Sequence, residues 1–109
     1  MTVLALETSC DETAIAILRG RNGHPGSELL ASEIASQIAE HEKYGGIVPE
    51  IASRNHLVQA PRLLERVARI GKIDMSNVDA FAATSGPGMP VSAATCCGAR
   101  PSRKSATAV

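Results

Sequence analysis

The densest run of reactive side chains is Glu7-Thr8-Ser9-Cys10-Asp11-Glu12-Thr13, in which carboxylates, hydroxyls and a thiol are consecutive. A polar turn of this kind offers the backbone N–H groups of Ser9 and Cys10, and the Ser9 hydroxyl, to a phosphoryl oxygen. Asp11 and Glu12 repel a phosphate; they suit a metal, a water or an attacking amine that must be steered or relieved of a proton. Both acids equally make plain turn formers, since such side chains bond their own backbone. Cys10 has no histidine at a supporting spacing and reads as a small, partly buried thiol rather than a nucleophile.

Two further stretches carry candidate chemistry. In Tyr44 to Arg54 (YGGIVPEIASR), Gly45-Gly46 allows close backbone approach, and Glu50 and Arg54 stand one helical turn apart. They either pair on a solvated face or line a cleft or partner interface. Ser85-Gly86-Pro87-Gly88 reads as a tight turn, and a helix starting there would aim its N-terminus at an anion through Gly86 and Gly88. A Pro- and Ser-rich segment follows instead. His24, His41 and His56 lie 17 and 15 residues apart, so no HxxxH or HExxH metal pair is present.

The elements that must position these groups follow from the apolar pattern. Residues 2–7, 13–19 and roughly 28–36 read as adjacent strands of an antiparallel meander, with the polar turn between the first two and the Gly/Pro/Asn-rich stretch 19–27 between the second and third. The Ala content of 28–36 is equally compatible with a helix. Pro49 suits the first turn of a helix running to about Ile70, packed on the strands, with Gly71 as its stop. Leu57, Ala60, Leu64 and Val67 form its apolar face, Arg54, Arg62, Glu65, Arg66 and Arg69 its polar one, and Pro61 is expected to kink or split it. Residues 79–84 read as a further strand. From Pro90 the pattern fails, and residues 89–109 are expected to be a divergent, poorly ordered tail.

A chain of 109 residues has room for one core. With one Phe, one Tyr and no Trp, that core is aliphatic, and stacking platforms for single-stranded nucleic acid are nearly absent. Eleven basic and eleven acidic residues cancel, which removes a general attraction to nucleic acid or anionic membrane. The balance is uneven: Arg100, Arg103 and Lys104 lie in the tail, which has no acid, leaving eight basic against eleven acidic residues and −3 for residues 1–89. Three cysteines, Cys10 and the adjacent Cys96 and Cys97, suit a reducing compartment. No run of about 20 apolar residues is present and charges interrupt residues 1–20, so a cytoplasmic chain without membrane contact is expected.

ALETSCDETAIAIL at 5–18, HEKYGGIVPEIASRNH at 41–56 and DAFAATSGPG at 79–88 stand in an order and spacing that resemble the start of the tRNA threonylcarbamoyladenosine transferases, a family formerly described as O-sialoglycoprotein endopeptidases. The resemblance covers residues 1–88. It implies an α/β fold: the N-terminal part of a lobe of the actin, heat-shock ATPase and sugar-kinase group, ribonuclease H-like, with a three-stranded antiparallel meander, a helix and a further strand. In that architecture the turn between the first two strands faces the phosphates. The resemblance implies transfer of a threonylcarbamoyl group from its adenylate to the adenosine beside the tRNA anticodon. On that basis Asp11 and Glu12 are the candidate catalytic acids, and Ser9, Cys10, Glu50, Arg54, Gly86 and Gly88 the candidate substrate-binding positions. The partners implied are tRNA, threonylcarbamoyl-adenylate and a paralogous scaffold subunit, with self-association of the fragment a further expectation.

The family holds a divalent metal, iron or zinc, partly through an HxxxH pair just downstream of the SGPG turn, and this chain has no such pair. No cofactor is therefore expected in the chain itself, which reads as a truncated or frame-shifted fragment without activity of its own. The alternatives are a non-catalytic scaffold paralogue of the same fold, which would not need the full ETSCDET and YGGIVPEIASR motifs, and the metallo-glycoprotease of the older family name, for which no ligand set is visible.

Overall fold

The computed structural model describes residues 1–84 and, along the backbone, 106–108. Strands β1 (Thr2–Glu7), β2 (Glu12–Gly20) and β3 (Ser27–Ser36) are followed by a short helix α1 (Ile38–Glu42), the long helix α2 (Pro49–Gly71), a single 3-10 turn at Met75–Asn77, and strands β4 (Ala80–Ala83) and β5 (Ala106–Ala108). The sheet order is β3-β2-β1-β4-β5. The first three strands form the expected antiparallel meander, and β4 joins β1 in parallel, as does β5 with β4. This is the expected α/β arrangement. The remainder of the segment from residue 85 to 105, and Val109, lies outside the described residues; α1, the 3-10 turn and β5 were not anticipated from the sequence.

Alternation decides the strands. Along β2, Thr13, Ile15 and Ile17 are buried while Ala14, Ala16 and Leu18 are half-buried, so the branched residues share the covered face. The Ala-rich segment 27–36 becomes a strand because it pairs along its length with β2, from Glu12 opposite Ser36 to Gly20 opposite Ser27. Ile17 faces Ala31 and Leu18 faces Leu29, so Leu30 is an extra residue, a bulge that shifts the register of β3. Between β2 and β3 the chain turns through Gly23 at φ 82° and Gly26 at φ 134°, conformations that favour glycine.

Pro49 opens α2, and the helix stops at Gly71, with Lys72 taking the left-handed position at φ 52°. Two expectations are corrected in part here. Pro61 does not divide the helix: it lies exposed beside exposed Leu57, on the solvent side, where a carbonyl that loses its N–H partner can turn to water. The buried stripe is Ala52, His56, Leu63 and Val67, whereas Leu57 is 60% exposed. Val67 and half-buried Leu64 lie on the core side as expected, but His56 is buried where Leu57 was expected, because it finds polar partners, described below, which a count of apolar residues alone does not register.

The core lies between α2 and one face of the sheet. Leu4, Ile15, Ile17 and Ala31 meet Leu63 and Val67, with Ile73 and Val78 closing the end. Asp79 accepts from the Thr2 amide at 2.7 Å through its carboxylate and donates its own amide to the Thr2 carbonyl at 2.9 Å, which ties the start of β1 to the entry of β4. On the other face, Val3, Ala5, Ala14, Ala16 and Leu18 are half-buried and Leu29 and Ile34 are exposed. A shallow cavity of about 240 Å³ opens on the sheet, lined by Ala5, Ala14, Ala16, Ser32 and Ala82 with Glu7 and Thr84 at one end. Among the described residues, no helix is long and apolar enough to cross a membrane.

Candidate functional site

The turn of residues 8–11 leaves β1 at the carboxyl ends of β1 and β4, which are adjacent and parallel. Ligands of open α/β sheets bind in the crevice beyond such ends. The turn is stitched to both strands: the Thr8 amide donates to Thr84 Oγ1 at 3.3 Å, and the Thr84 amide donates to the Leu6 carbonyl at 3.1 Å. Buried Thr8 starts the turn and exposed Cys10 stands at its tip.

The two Ser9 donors share one acceptor. Its amide reaches Glu7 Oε1 at 2.6 Å, and its hydroxyl bonds the same oxygen. Burial works to raise the Glu7 carboxyl, but the Ser9 hydroxyl and amide, with Thr84 and the nearby His56, outweigh it and hold the group below its ordinary range. The amide and hydroxyl of Ser9 thus converge on one oxygen of the Glu7 carboxylate. Asp11 is half-buried, and its carbonyl accepts from the Gln37 amide at 2.8 Å. Glu12 is the first residue of β2, exposed and opposite Ser36, rather than part of the turn.

Behind the turn lies a buried polar chain that the sequence reading did not single out. His41 Nδ1 is 3.2 Å from the Val48 amide, and its Nε2 is 3.0 Å from Gln37 Oε1. Gln37 Nε2 is 3.3 Å from His56 Nδ1 and 3.4 Å from the Ala52 carbonyl. Thr13 Oγ1 lies 2.7 Å from the same His56 Nδ1, and His56 Nε2 lies 3.0 Å from the Cys10 carbonyl. Thr13 and His56 are fully buried, and Gln37 and His41 nearly so. Burial is the largest influence on the His56 imidazole and lowers its pKa from the ordinary 6.5, against the opposing pull of the Cys10 carbonyl, Glu7 and Asp11. The signal available in the sequence was the spacing of Ala52 and His56, one turn apart on what proves to be the buried stripe.

Glu50 and Arg54 are not brought to this turn by any contact. They pair with each other across one turn of α2 at 2.6 Å, both about three-quarters exposed. Gly86 and Gly88 lie outside the described residues. Among the described residues, no group of three or more His, Cys, Asp or Glu side chains could hold a metal ion. Both ring nitrogens of His41 and of His56 are committed to protein atoms, so the donor set here does not fit a divalent metal.

The family model described as "TsaD: tRNA N6-adenosine threonylcarbamoyltransferase" matches residues 28–99. A tRNA N6-adenosine threonylcarbamoyltransferase of Brucella anthropi is 49% identical over 89 residues, 82% of this chain and 24% of the relative. One from Prochlorococcus marinus is 52% identical over 87 residues, 80% of this chain and 24% of the relative. The chain therefore spans about a quarter of the length of the curated relatives it matches. Among solved structures, YeaZ from Pseudomonas aeruginosa shares the fold, with a TM-score of 0.55 at 21% identity, over 89% of this chain and 35% of that one. On the family match and the relatives' identity over four-fifths of its length, the chain belongs to the tRNA N6-adenosine threonylcarbamoyltransferase family.

Proposed function

We propose that residues 1–88 are the beginning of the substrate-facing lobe of a tRNA N6-adenosine threonylcarbamoyltransferase, with threonylcarbamoyl-adenylate and tRNA as substrates and a paralogous scaffold subunit as partner. The observation that carries this reading is the position of the Ser9–Asp11 turn, at the carboxyl ends of adjacent parallel strands in a chain of this family. The Glu7 carboxylate accepting from both Ser9 donors supports anion affinity there: an adenylate phosphoryl oxygen would take over the Ser9 donors, joined by the Cys10 amide. The amine nitrogen of the adenosine then bonds the carbamoyl carbon, the bond from that carbon to the phosphate oxygen breaks, and AMP leaves. The amine proton passes to the half-buried Asp11 carboxylate, while exposed Glu12 steers the amine or the leaving proton. Glu50 and Arg54 contribute at a cleft wall or partner surface, and Gly86 and Gly88 at an anion-facing turn.

Among the described residues, none form a site for a metal. The same finding leaves the metallo-glycoprotease reading without a ligand set in this chain's described residues. The scaffold reading rests on likeness of fold alone, whereas relatives about half identical to this chain carry the transferase name.

The test is Asp11→Asn in a full-length relative with the same ETSCDET turn, assayed for transfer at saturating adenylate and tRNA. A well-placed acid or base contributes ~10²–10⁴-fold, which is the expected fall in turnover. Asn forms turns as well as Asp, so turnover within about threefold of the parent would return Asp11 to a structural role. The 109-residue chain, assayed alongside, is expected to give no transfer above a no-enzyme control.

A further inference from the structure

The buried polar chain behind the turn has only one fully satisfied arrangement of protons. Val48 N–H is a donor and nothing else, so the His41 Nδ1 facing it must be unprotonated and the His41 proton must sit on Nε2. That proton points to Gln37 and requires the amide oxygen there, which turns the Gln37 NH2 toward His56 Nδ1 and the Ala52 carbonyl. At its other end, the Cys10 carbonyl is an acceptor and nothing else, so the His56 proton sits on Nε2. His56 Nδ1 then accepts from Gln37 and from the Thr13 hydroxyl. Every group is paired, and the four bonds from the Val48 amide through His41, Gln37 and His56 to the Cys10 carbonyl run in one direction, with side branches to the Ala52 carbonyl and from the Thr13 hydroxyl.

We propose that His56 is a positioning residue: in its neutral Nε2–H form it fixes the Cys10 carbonyl, and so holds the 8–11 turn in register with the start of α2. The chain joins the two segments that carry the family motifs through side chains that belong to neither a strand ladder nor a helix ladder. A second strut runs beside it, from the Gln37 amide to the Asp11 carbonyl at 2.8 Å. Gln37 thus holds the turn twice, once through its backbone and once through His56.

The arrangement is sensitive to protonation by geometry alone. A proton added at His56 Nδ1 can be taken by Thr13 Oγ1 at 2.7 Å if that hydroxyl turns round, but it then displaces the Gln37 NH2 at 3.3 Å, and rotating the Gln37 amide to compensate would place NH2 against the His41 Nε2–H. A proton added at His41 Nδ1 faces the Val48 N–H. The charged groups around His56 are Glu7 at the end of β1 and Asp11 in the turn, both of which favour its protonation, and His41 on α1, which opposes it. Protonation of His56 should therefore loosen the turn.

This inference rests on the proposed function only for what the turn is used for, and its test involves no substrate, so it can fail while the transferase reading stands, and the reverse. Long-range ¹⁵N–¹H correlation spectra of the 109-residue chain near neutral pH should show both His41 and His56 as Nε2–H tautomers. On lowering the pH, the Cys10 and Asp11 amides should shift with the same midpoint as the His56 ring, below its ordinary 6.5. Replacing His56→Gln keeps a donor for the Cys10 carbonyl and should leave exchange of the Gln37 amide within about threefold of the parent while abolishing that pH-linked shift; His56→Phe should speed it by about tenfold, as loss of one hydrogen bond implies. An Nδ1–H tautomer at His56, turn amides that ignore its titration, or equal exchange in the Gln and Phe variants would each overturn the proposal. If the Phe variant does not fold, the tautomer and the shared midpoint in the parent decide alone.

Discussion

The two ends of α2 are equally buried and are held by opposite means. Toward its C-terminus, Leu63 and Val67 meet Leu4, Ile15, Ile17 and Ala31, contacts that have no direction and depend on volume. Toward its N-terminus, His56 meets Thr13, Gln37 and the Cys10 carbonyl through bonds that have direction and tolerate little displacement. An apolar end supplies stability and accepts repacking. A polar end supplies little net stability per bond but fixes position, and it is the polar end that lies behind the candidate turn.

The apolar end gives the largest expected effect. Leu63→Ala removes a side chain that is 2% exposed and should cost about 2–5 kcal/mol in denaturant unfolding, whereas Leu63→Met should cost less than about 1.5 kcal/mol. Equal losses from the two changes would mean that this end, too, depends on shape in detail, and would erase the contrast between the ends.

The polar end should show itself through pH. His56 has its pKa lowered in the folded chain, so between its folded value and 6.5 the unfolded chain binds more protons and stability rises with pH. Its contribution is complete above about pH 6.5 and is lost as the pH falls through the folded value. Glu7, lowered from 4.5, loses its contribution only in a more acidic window. Denaturant midpoints measured from pH 7.5 to 5 should fall more steeply for the parent than for His56→Gln. Parallel slopes would assign the acid sensitivity to other groups and leave the polar end without a special role.

What the sequence made legible follows the same division. The strands of the meander, the start and stop of α2 and the strand before SGPG were readable because alternation, Pro49 and Gly71 are local signals that tertiary contacts here reinforce. The buried face of α2 was misplaced only toward its N-terminus, where Leu57 is exposed and His56 buried, because His56 counted as polar, and a histidine turns inward only when partners far along the chain, Thr13 and Gln37, are already in place. The donors of Ser9 were legible, but that Glu7 would occupy both was not, since it requires the bend of the turn itself. Pro61 does not split α2, since its place on the solvent side leaves the freed carbonyl open to water.

The smallest expected effect concerns the surface of α2, away from both buried ends. Arg54 Nη2 and Glu50 Oε1 are 2.6 Å apart, but both side chains are about three-quarters exposed, so water and salt screen the pair. Arg54→Met removes the pair while keeping much of the aliphatic stem, and should cost only about 0.3–0.5 kcal/mol, shrinking further in high salt. Glu50→Gln removes the same pair and also a negative charge from the first turn of the helix, where the dipole adds about 0.3–1 kcal/mol, so it should be the more costly of the two. A loss above about 1 kcal/mol for Arg54→Met, unchanged by salt, would show that the guanidinium has a partner beyond Glu50 and belongs with the directional end of α2. If instead stability hardly moves while kcat/KM falls in a full-length relative carrying Arg54→Met, the pair lines a cleft or partner surface, since an ion pair that only decorates the helix has no route to the reaction.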